Sequence, residues 1–352
     1  MKKIIDWLKS HNIYSLQFYK SHAALKRWLA IFFTSFLSVI LIVGVIAASV
    51  LSTYLGAIDR DKVSEDDVGV SDEAKDVYDG QDVINIMLFG IDSRSMTEES
   101  RSDAMMLLTI DKKHTKIKMT SIARDTYVPI EGYGNDKITH AFVFGWAKEK
   151  DISGGAKLSL KTINNAFNLN VTDYVTANFW ALAHIIDYVG GVDIDVDKSE
   201  MYNMNKFYIP YMQDIDVECD YIKGTGVQHL TGGQAVAYCR LRFDSDIKRG
   251  ERQREVLMAM YEDVKTLSPI KYPELISLIL NECSTSLSDK ELLSLGMWAV
   301  KNIGSLQFEN LGLPTDDLNP QGKMINGIWY FLYDLDDAAK KIEEFILETP
   351  KE

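Results

Sequence analysis

The sequence predicts an α/β fold, an α-β-α sandwich around a central mixed sheet, preceded by one N-terminal transmembrane helix. From Val83 onward, apolar runs of strand length alternate with stretches of helical spacing, the order that covers a sheet with helices. Ahead of them, Trp28–Ile58 carries no charged residue. The charge order around that run is basic, apolar, acidic: residues 1–27 sum to +5 and residues 59–82 to −7. With 46% hydrophobic and 25% charged residues over 352 positions, wholesale disorder, a collagen-like repeat and a disulfide scaffold are excluded.

The elements follow in chain order. Residues 1–27 read as a cytoplasmic tail. Trp28–Leu51 is long enough, at about 1.5 Å per residue, to cross a bilayer core of ~30 Å. Its cationic flank comes first, which orients the N-terminus inward and the rest of the chain outside the membrane. A cleaved signal peptide is the rival reading, since Ala47-Ala48-Ser49 offers small residues for cleavage. Residues 52–82 read as an acidic extracellular linker, extended by its own repulsion. The domain itself is expected over 83–350.

Within it, VINIMLFGID, AMMLLTID and KIKMTSIARD read as strands, with Lys112-Lys113-His114 as a turn. Ala156–Asn168 has helical spacing, Thr172–Asn178 reads as a strand, and Phe179–Val189 as a helix stopped by Gly190-Gly191. VDIDVD alternates as a half-solvated strand does. Gly232–Arg240 and Glu251–Leu267 read as helices around a charged loop. Cys219, Cys239 and Cys283 show no CxxC spacing and allow at most one disulfide. Cys239 reads as a small buried hydrophobe.

Three charged constellations stand at element ends, where α/β folds place their sites. Asp92 ends the first strand and Asp103, after Arg101, opens the second; two such carboxylates suit a hard cation, and loop salt bridges would use them equally well. Arg124-Asp125, with Lys137 further on, ends the third strand. An arginine there needs an anion, either a neighbouring aspartate or a phosphate. The third constellation is Arg240, Arg242, Asp244, Asp246, Lys248, Arg249, Arg252, Gln253 and Arg254, with Arg252 and Gln253 expected to open a helix whose free N–H groups would add to an anion site. A solvated charged turn is its bland reading. No HExxH, Walker loop or Cys/His metal cluster is present, and His140 and His229 read as structural or surface residues. The overall charge of −13 argues against a nucleic-acid binder.

The succession LFGIDSR, RSDAMMLLTID, TSIARDTYVPI, NDKITHAF and CRLRFDSDIKRGERQR resembles the LytR-CpsA-Psr family of cell-envelope proteins. The resemblance covers about residues 83–260 and extends towards the C-terminus through LGLPTDD and GKMINGIWYFLYD. It departs at Lys248, where a small residue is usual, and at Ala123, where Pro is usual.

The resemblance implies a Gram-positive ligase. It would move an anionic glycopolymer, wall teichoic acid or capsular polysaccharide, from undecaprenyl pyrophosphate to peptidoglycan. It implies Mg²⁺, or Mn²⁺ in its place, on Asp92 and Asp103. It implies pyrophosphate contacts from Arg101, Arg124, Lys137, Arg240, Arg242, Arg249, Arg252 and Gln253. Arg101 and Arg124 would act on the reacting phosphates, and Asp246 would be the base for the incoming hydroxyl. The expected partners are the polyprenyl-linked polymer, peptidoglycan and the cell membrane. A polyprenyl-pyrophosphate phosphatase and a non-enzymatic envelope regulator are the alternatives. A tail of about 27 residues is too short for a DNA-binding domain.

Overall fold

The computed structural model describes residues 63–92 and 98–348. The expected tail, the membrane span and the start of the linker lie outside the described residues, as do Ser93 and Arg94. Among the described residues, no helix is long and apolar enough to cross a membrane.

The chain opens with helix α1 (Asp72–Tyr78), then strands β1 (Val83–Ile91), β2 (Ser102–Asp111) and β3 (Lys116–Ile122). The hairpin β4 (Tyr127–Ile130) and β5 (Gly134–Lys137) leads to helices α2 (His140–Glu149) and α3 (Ile152–Phe167). Strand β6 (Asp173–Asn178) runs directly into α4 (Phe179–Val189), and β7 (Val192–Val196) into α5 (Lys198–Asn203). A π-helical turn at Met204–Tyr208 joins α5 to α6 (Ile209–Asp214). Next come β8 (Gly226–Leu230), α7 (Gly232–Cys239), α8 (Asp246–Thr266), α9 (Tyr272–Glu282), β9 (Ser284–Thr285) and α10 (Asp289–Asn302). Strands β10 (Gln307–Leu313), β11 (Gln321–Ile325) and β12 (Ile328–Leu332) precede α11 (Leu335–Leu347).

Six strands form the central sheet in the order β10-β3-β2-β1-β6-β9. The β1/β2, β2/β3 and β6/β9 pairs are antiparallel, while β1/β6 and β3/β10 are parallel, so the sheet is mixed as expected. The two-residue period of β1 divides its side chains between two cores. Met87, Phe89 and Ile91 face a cluster that includes Phe142 of α2, Leu160 and Ile163 of α3, and Ile342 of α11. Ile84, Ile86 and Leu88 face Leu292, Leu295 and Trp298 of α10. Helices therefore cover both faces of the sheet.

Two expectations are corrected. The stretch read as linker up to residue 82 joins the domain from Val68 on: Val68, Val70, Ala74 and Tyr78 are buried in the first core. Acidic residues surround these four anchors, and Asp72 and Glu73 occupy the first turn of α1, where they favour a helix N-terminus. Helix α8 begins at Asp246 rather than Glu251, because the Ser245 side chain accepts the Lys248 backbone N–H at 3.1 Å and caps it. The reading of α4 matches its bounds, with Gly190 at φ 109° closing it in a conformation that suits only glycine.

The C-terminal helix is tied to the sheet by charge. Lys118 is fully buried in β3, and its Nζ donates to the Ile346 carbonyl at 2.7 Å and pairs with Glu348 at 3.1 Å. Lys116, two residues earlier on the same strand, pairs with both Glu309 and Glu348.

Candidate active site

Asp92 leaves β1 at an irregularity. The β1/β2 register shifts between Gly90 and Ile91, and a Cβ on Gly90 would stand 2.9 Å from that of Ala104. Glycine lets the strands close there, and the bulge re-aims the residues that follow. Asp92 Oδ1 then accepts the Arg101 backbone N–H at 3.0 Å, tying the two ends of the intervening loop together. The Arg101 residue itself is exposed at the rim.

Asp103 stands at the start of β2 and Arg124 just past the end of β3, the neighbouring strand, where the two side chains form a close ion pair. Asp125, next in the chain, is only 4% exposed. Its carboxylate meets Lys137 Nζ at 2.7 Å and Arg242 Nη2 at 3.6 Å. Asp246, the first residue of α8, pairs with Arg242 Nε at 3.2 Å and Arg249 Nη1 at 3.5 Å. One loop, one hairpin and one helix start thus converge on two adjoining carboxylates.

Burial, and then the neighbouring Asp246 carboxyl, push the Asp125 carboxyl above its ordinary value, although Lys137 opposes them. Burial pushes the Arg249 guanidinium down, with Asp103 acting against it. For Arg124, burial acts in the same direction, but Asp103 and Asp125 together hold it above its ordinary value. Buried N–H groups of Arg124 (Nε), Arg240 (Nη1) and Arg249 (Nη1) have no hydrogen-bond partner among the described residues. Such donors are costly to bury unless an anion arrives to accept from them.

Beside these arginines a cavity of about 470 Å³ opens between the sheet and the helices. Leu88 and Val175 of the sheet, Leu182 of α4, Leu257 and Met260 of α8 and Ile279 of α9 give it apolar walls. Asp103, Arg240, Arg242, Arg249 and Gln253 stand at its polar end. Gln253 also lines a small cleft with Arg124, Asp246 and Arg249, which places it between the charged cluster and the apolar walls. A cavity of this make-up suits a ligand with an apolar body and an anionic head.

Arg252 departs from the expectation. Its Nε donates to Glu200 at 2.8 Å and its Nη1 to Asp244 at 3.0 Å, with a second close contact from Nη2 to Asp244. With Nε, Nη1 and Nη2 all bonded to protein acceptors, it fastens the 240–245 loop to α5. Because α8 starts at Asp246, Arg252 and Gln253 lie inside the helix, and the expected free N–H groups at those positions are absent. Lys137 reaches the site through Asp125. The two histidines are paired with aspartates, His140 with Asp136 and His229 with Asp193. All three cysteines are free, and burial pushes the thiols of Cys219, Cys239 and Cys283 up to about 12.

Sequence reading passed over four residues of the site. Asp125 was visible only as a counter-ion next to Arg124. Tyr208 accepts the Arg242 backbone N–H at 3.1 Å, and Phe179 and Tyr211 stack on Arg240. None of the three aromatics lies in a charged motif, so local pattern carried no sign of them. The donor chemistry of Asp92 and Asp103 fits a hard cation. They are hard oxygen donors at the same end of paired strands, and one oxygen of each is engaged, Asp92 Oδ1 by Arg101 and Asp103 Oδ1 by Arg124, leaving Oδ2 of each outside those bonds.

Fold and site together define an α/β domain with an arginine-rich cluster beside an apolar cavity. The chain belongs to the LytR-CpsA-Psr family, whose model matches residues 47–345. It is 34% identical over 267 residues to polyisoprenyl-teichoic acid–peptidoglycan teichoic acid transferase TagU of Oceanobacillus iheyensis, covering 74% of each chain. It is 31% identical over 265 residues to the transferase TagT of Bacillus subtilis, covering 73% of this chain and 74% of that one. Among solved structures, TagT with bound octaprenyl pyrophosphate lipid aligns with a TM-score of 0.56 at 27% identity, over 83% of this chain and 99% of that one. TagT bound to LI-WTA aligns with a TM-score of 0.59 at 28% identity over the same shares.

Proposed function

We propose that the protein transfers an anionic glycopolymer from a polyprenyl-pyrophosphate carrier to peptidoglycan. The observation that carries this reading is the set of buried arginine N–H groups that make no hydrogen bond among the described residues, beside the apolar cavity. The pyrophosphate would lie among Arg124, Arg240, Arg242, Arg249 and Gln253, with Arg101 at the rim and the polyprenyl chain along the cavity. Each methylene taken from water there contributes about 0.8 kcal/mol. The named relatives act on polyisoprenyl-linked teichoic acid, which supports that class of donor; undecaprenyl as carrier and wall teichoic acid or a capsular polysaccharide as cargo are the finer parts of the proposal.

In the reaction a glycan hydroxyl of the acceptor attacks the sugar-side phosphorus. The new P–O bond makes a phosphodiester, the bond to the bridging oxygen breaks, and polyprenyl phosphate leaves with that oxygen. Asp246 accepts the hydroxyl proton. The guanidinium groups stabilise charge on the phosphoryl oxygens, the dominant contribution in phosphoryl transfer. Mg²⁺, or Mn²⁺, on Asp92 and Asp103 would neutralise further phosphate charge. The membrane span expected at Trp28–Leu51 would hold the domain at the outer face of a Gram-positive-type cell membrane, where both substrates reside.

The test is transfer by the full-length chain from a lipid-linked polymer to glycan strands with Mg²⁺ present. Polymer on the glycan supports the proposal. Release of free phosphorylated polymer alone would identify a pyrophosphatase, with water as acceptor.

A further inference from the structure

Arg240 packs against two aromatic rings. Its guanidinium carbon lies 4.1 Å from the ring centroid of Phe179 and 4.2 Å from that of Tyr211. Phe179 is the first residue of α4, Tyr211 sits in α6, and Arg240 directly follows α7, so three separate elements bring these groups together. Both rings pack against the guanidinium within cation–π range, and its N–H groups lie along its edge. On that edge Nη1 is buried without a hydrogen-bond partner among the described residues, and Arg240 lines the mouth of the cavity together with Phe179.

We propose that Phe179 and Tyr211 are positioning residues: they clamp the Arg240 guanidinium so that its edge is presented to the phosphates of the donor. This deepens the pyrophosphate-binding role proposed for Arg240 and rests on it. An unclamped arginine samples many rotamers and must be ordered on binding, whereas a stacked one is already planar to its ligand. Lysine could not use the clamp, because an ammonium has no face to stack and no fork to offer.

The experiment measures binding of inorganic pyrophosphate and of a short polyprenyl pyrophosphate to the detergent-solubilised full-length chain by calorimetry, with donor KM and kcat from the transfer assay. Tyr211→Leu and Phe179→Leu are each expected to weaken binding of both probes about 5- to 10-fold, to raise KM by a similar factor and to leave kcat within about twofold, while Tyr211→Phe binds as wild type does. In an Arg240→Ala background, Tyr211→Leu is expected to cost less than twofold. If it costs the same factor there as in the wild type, Tyr211 does not act through Arg240 and the clamp is overturned. Tyr211 is 40% exposed, so its truncation is not expected to endanger folding even where that of Phe179 does. Should Arg240→Ala bind both probes as wild type does, the pyrophosphate role of Arg240 fails. Should it weaken binding while Tyr211→Leu and Phe179→Leu do not, the clamp alone fails.

Discussion

Asp125 and Asp246 are bridged by one guanidinium, Arg242, whose Nη2 lies 3.6 Å from the first carboxylate and whose Nε lies 3.2 Å from the second. Lys137 stands 2.7 Å from the first. Of the two acids only Asp246 also pairs with Arg249, at 3.5 Å, so Arg242 is shared while Lys137 and Arg249 each serve one acid.

Replacing Asp125 by Asn separates stability from activity. Burial raises the folded-state value of this acid, so its protonated form favours the native state, fully below the ordinary 3.8 and progressively less as pH rises through the folded value. Asn cannot ionise and avoids that decline. Urea titrations are expected to show Asp125→Asn gaining on the wild type as pH rises above 3.8. Transfer should meanwhile fall about tenfold, because Lys137 and Arg242 lose a charged partner. A variant that loses ground with rising pH would show that Asp125 is held ionised.

Arg252 is a structural fastener, and its removal should register in stability first. Arg252→Ala strands Glu200 and Asp244 without their shared cation, at a cost of about 3–5 kcal/mol. For a domain of this size the melting temperature should drop by roughly 10 °C. Arg249→Ala, which removes a buried cation with no fully made hydrogen bond, should melt near the wild type and lose binding of pyrophosphate instead. Calorimetric melting of the two variants, side by side, distinguishes the roles.

The cavity wall can be tested apart from the anion site. Leu257→Trp puts an indole where the apolar chain would lie. Displacing about three methylenes costs roughly 50-fold in affinity for a long-chain polyprenyl pyrophosphate. Inorganic pyrophosphate, which has no chain, should bind the variant unchanged. Equal weakening of both ligands in a titration would show that the chain does not enter here.

The C-terminal latch carries its own pH signature. The hydrogen bond from Lys116, against some burial and with help from Lys118, holds the Glu348 carboxyl well below its ordinary 4.5, at about 2. Its contribution is therefore present above 4.5 and lost as pH falls through that window. Glu348→Gln should lower stability near neutrality by about 1 kcal/mol, given partial exposure and solvent screening. That difference should shrink as unfolding is followed down to pH 3; a constant difference would assign the effect to packing.

Much of the fold was legible because burial leaves local marks. The apolar runs of β1 to β3 mark strands whose ends lie within three residues of those read, and the run from Phe179 to the glycine pair states its own boundaries. The start of α8 was hidden, since Asp246 to Arg254 shows no apolar period and a cap at Ser245 decides the matter. The anchors Val68, Val70, Ala74 and Tyr78 were masked by the acidic residues between them. In the site, Asp92, Asp103, Arg124, Arg240, Arg242, Asp246 and Arg249 announced themselves as charges at element ends. Arg252 announced itself equally and proved to serve the scaffold, because spacing does not reveal which anion a cation meets. Phe179, Tyr208 and Tyr211 were invisible, since their importance lies in what the tertiary fold sets against them.

In the proposed reaction, arginines with buried N–H groups receive the donor pyrophosphate for transfer to a glycan. The most direct measurement is the rate at which the full-length protein moves polymer from a lipid carrier to glycan strands, compared between wild type and Arg124→Ala. Loss of one such charge contact is expected to slow transfer by about 100-fold or more. Transfer by Arg124→Ala at the wild-type rate would contradict the account.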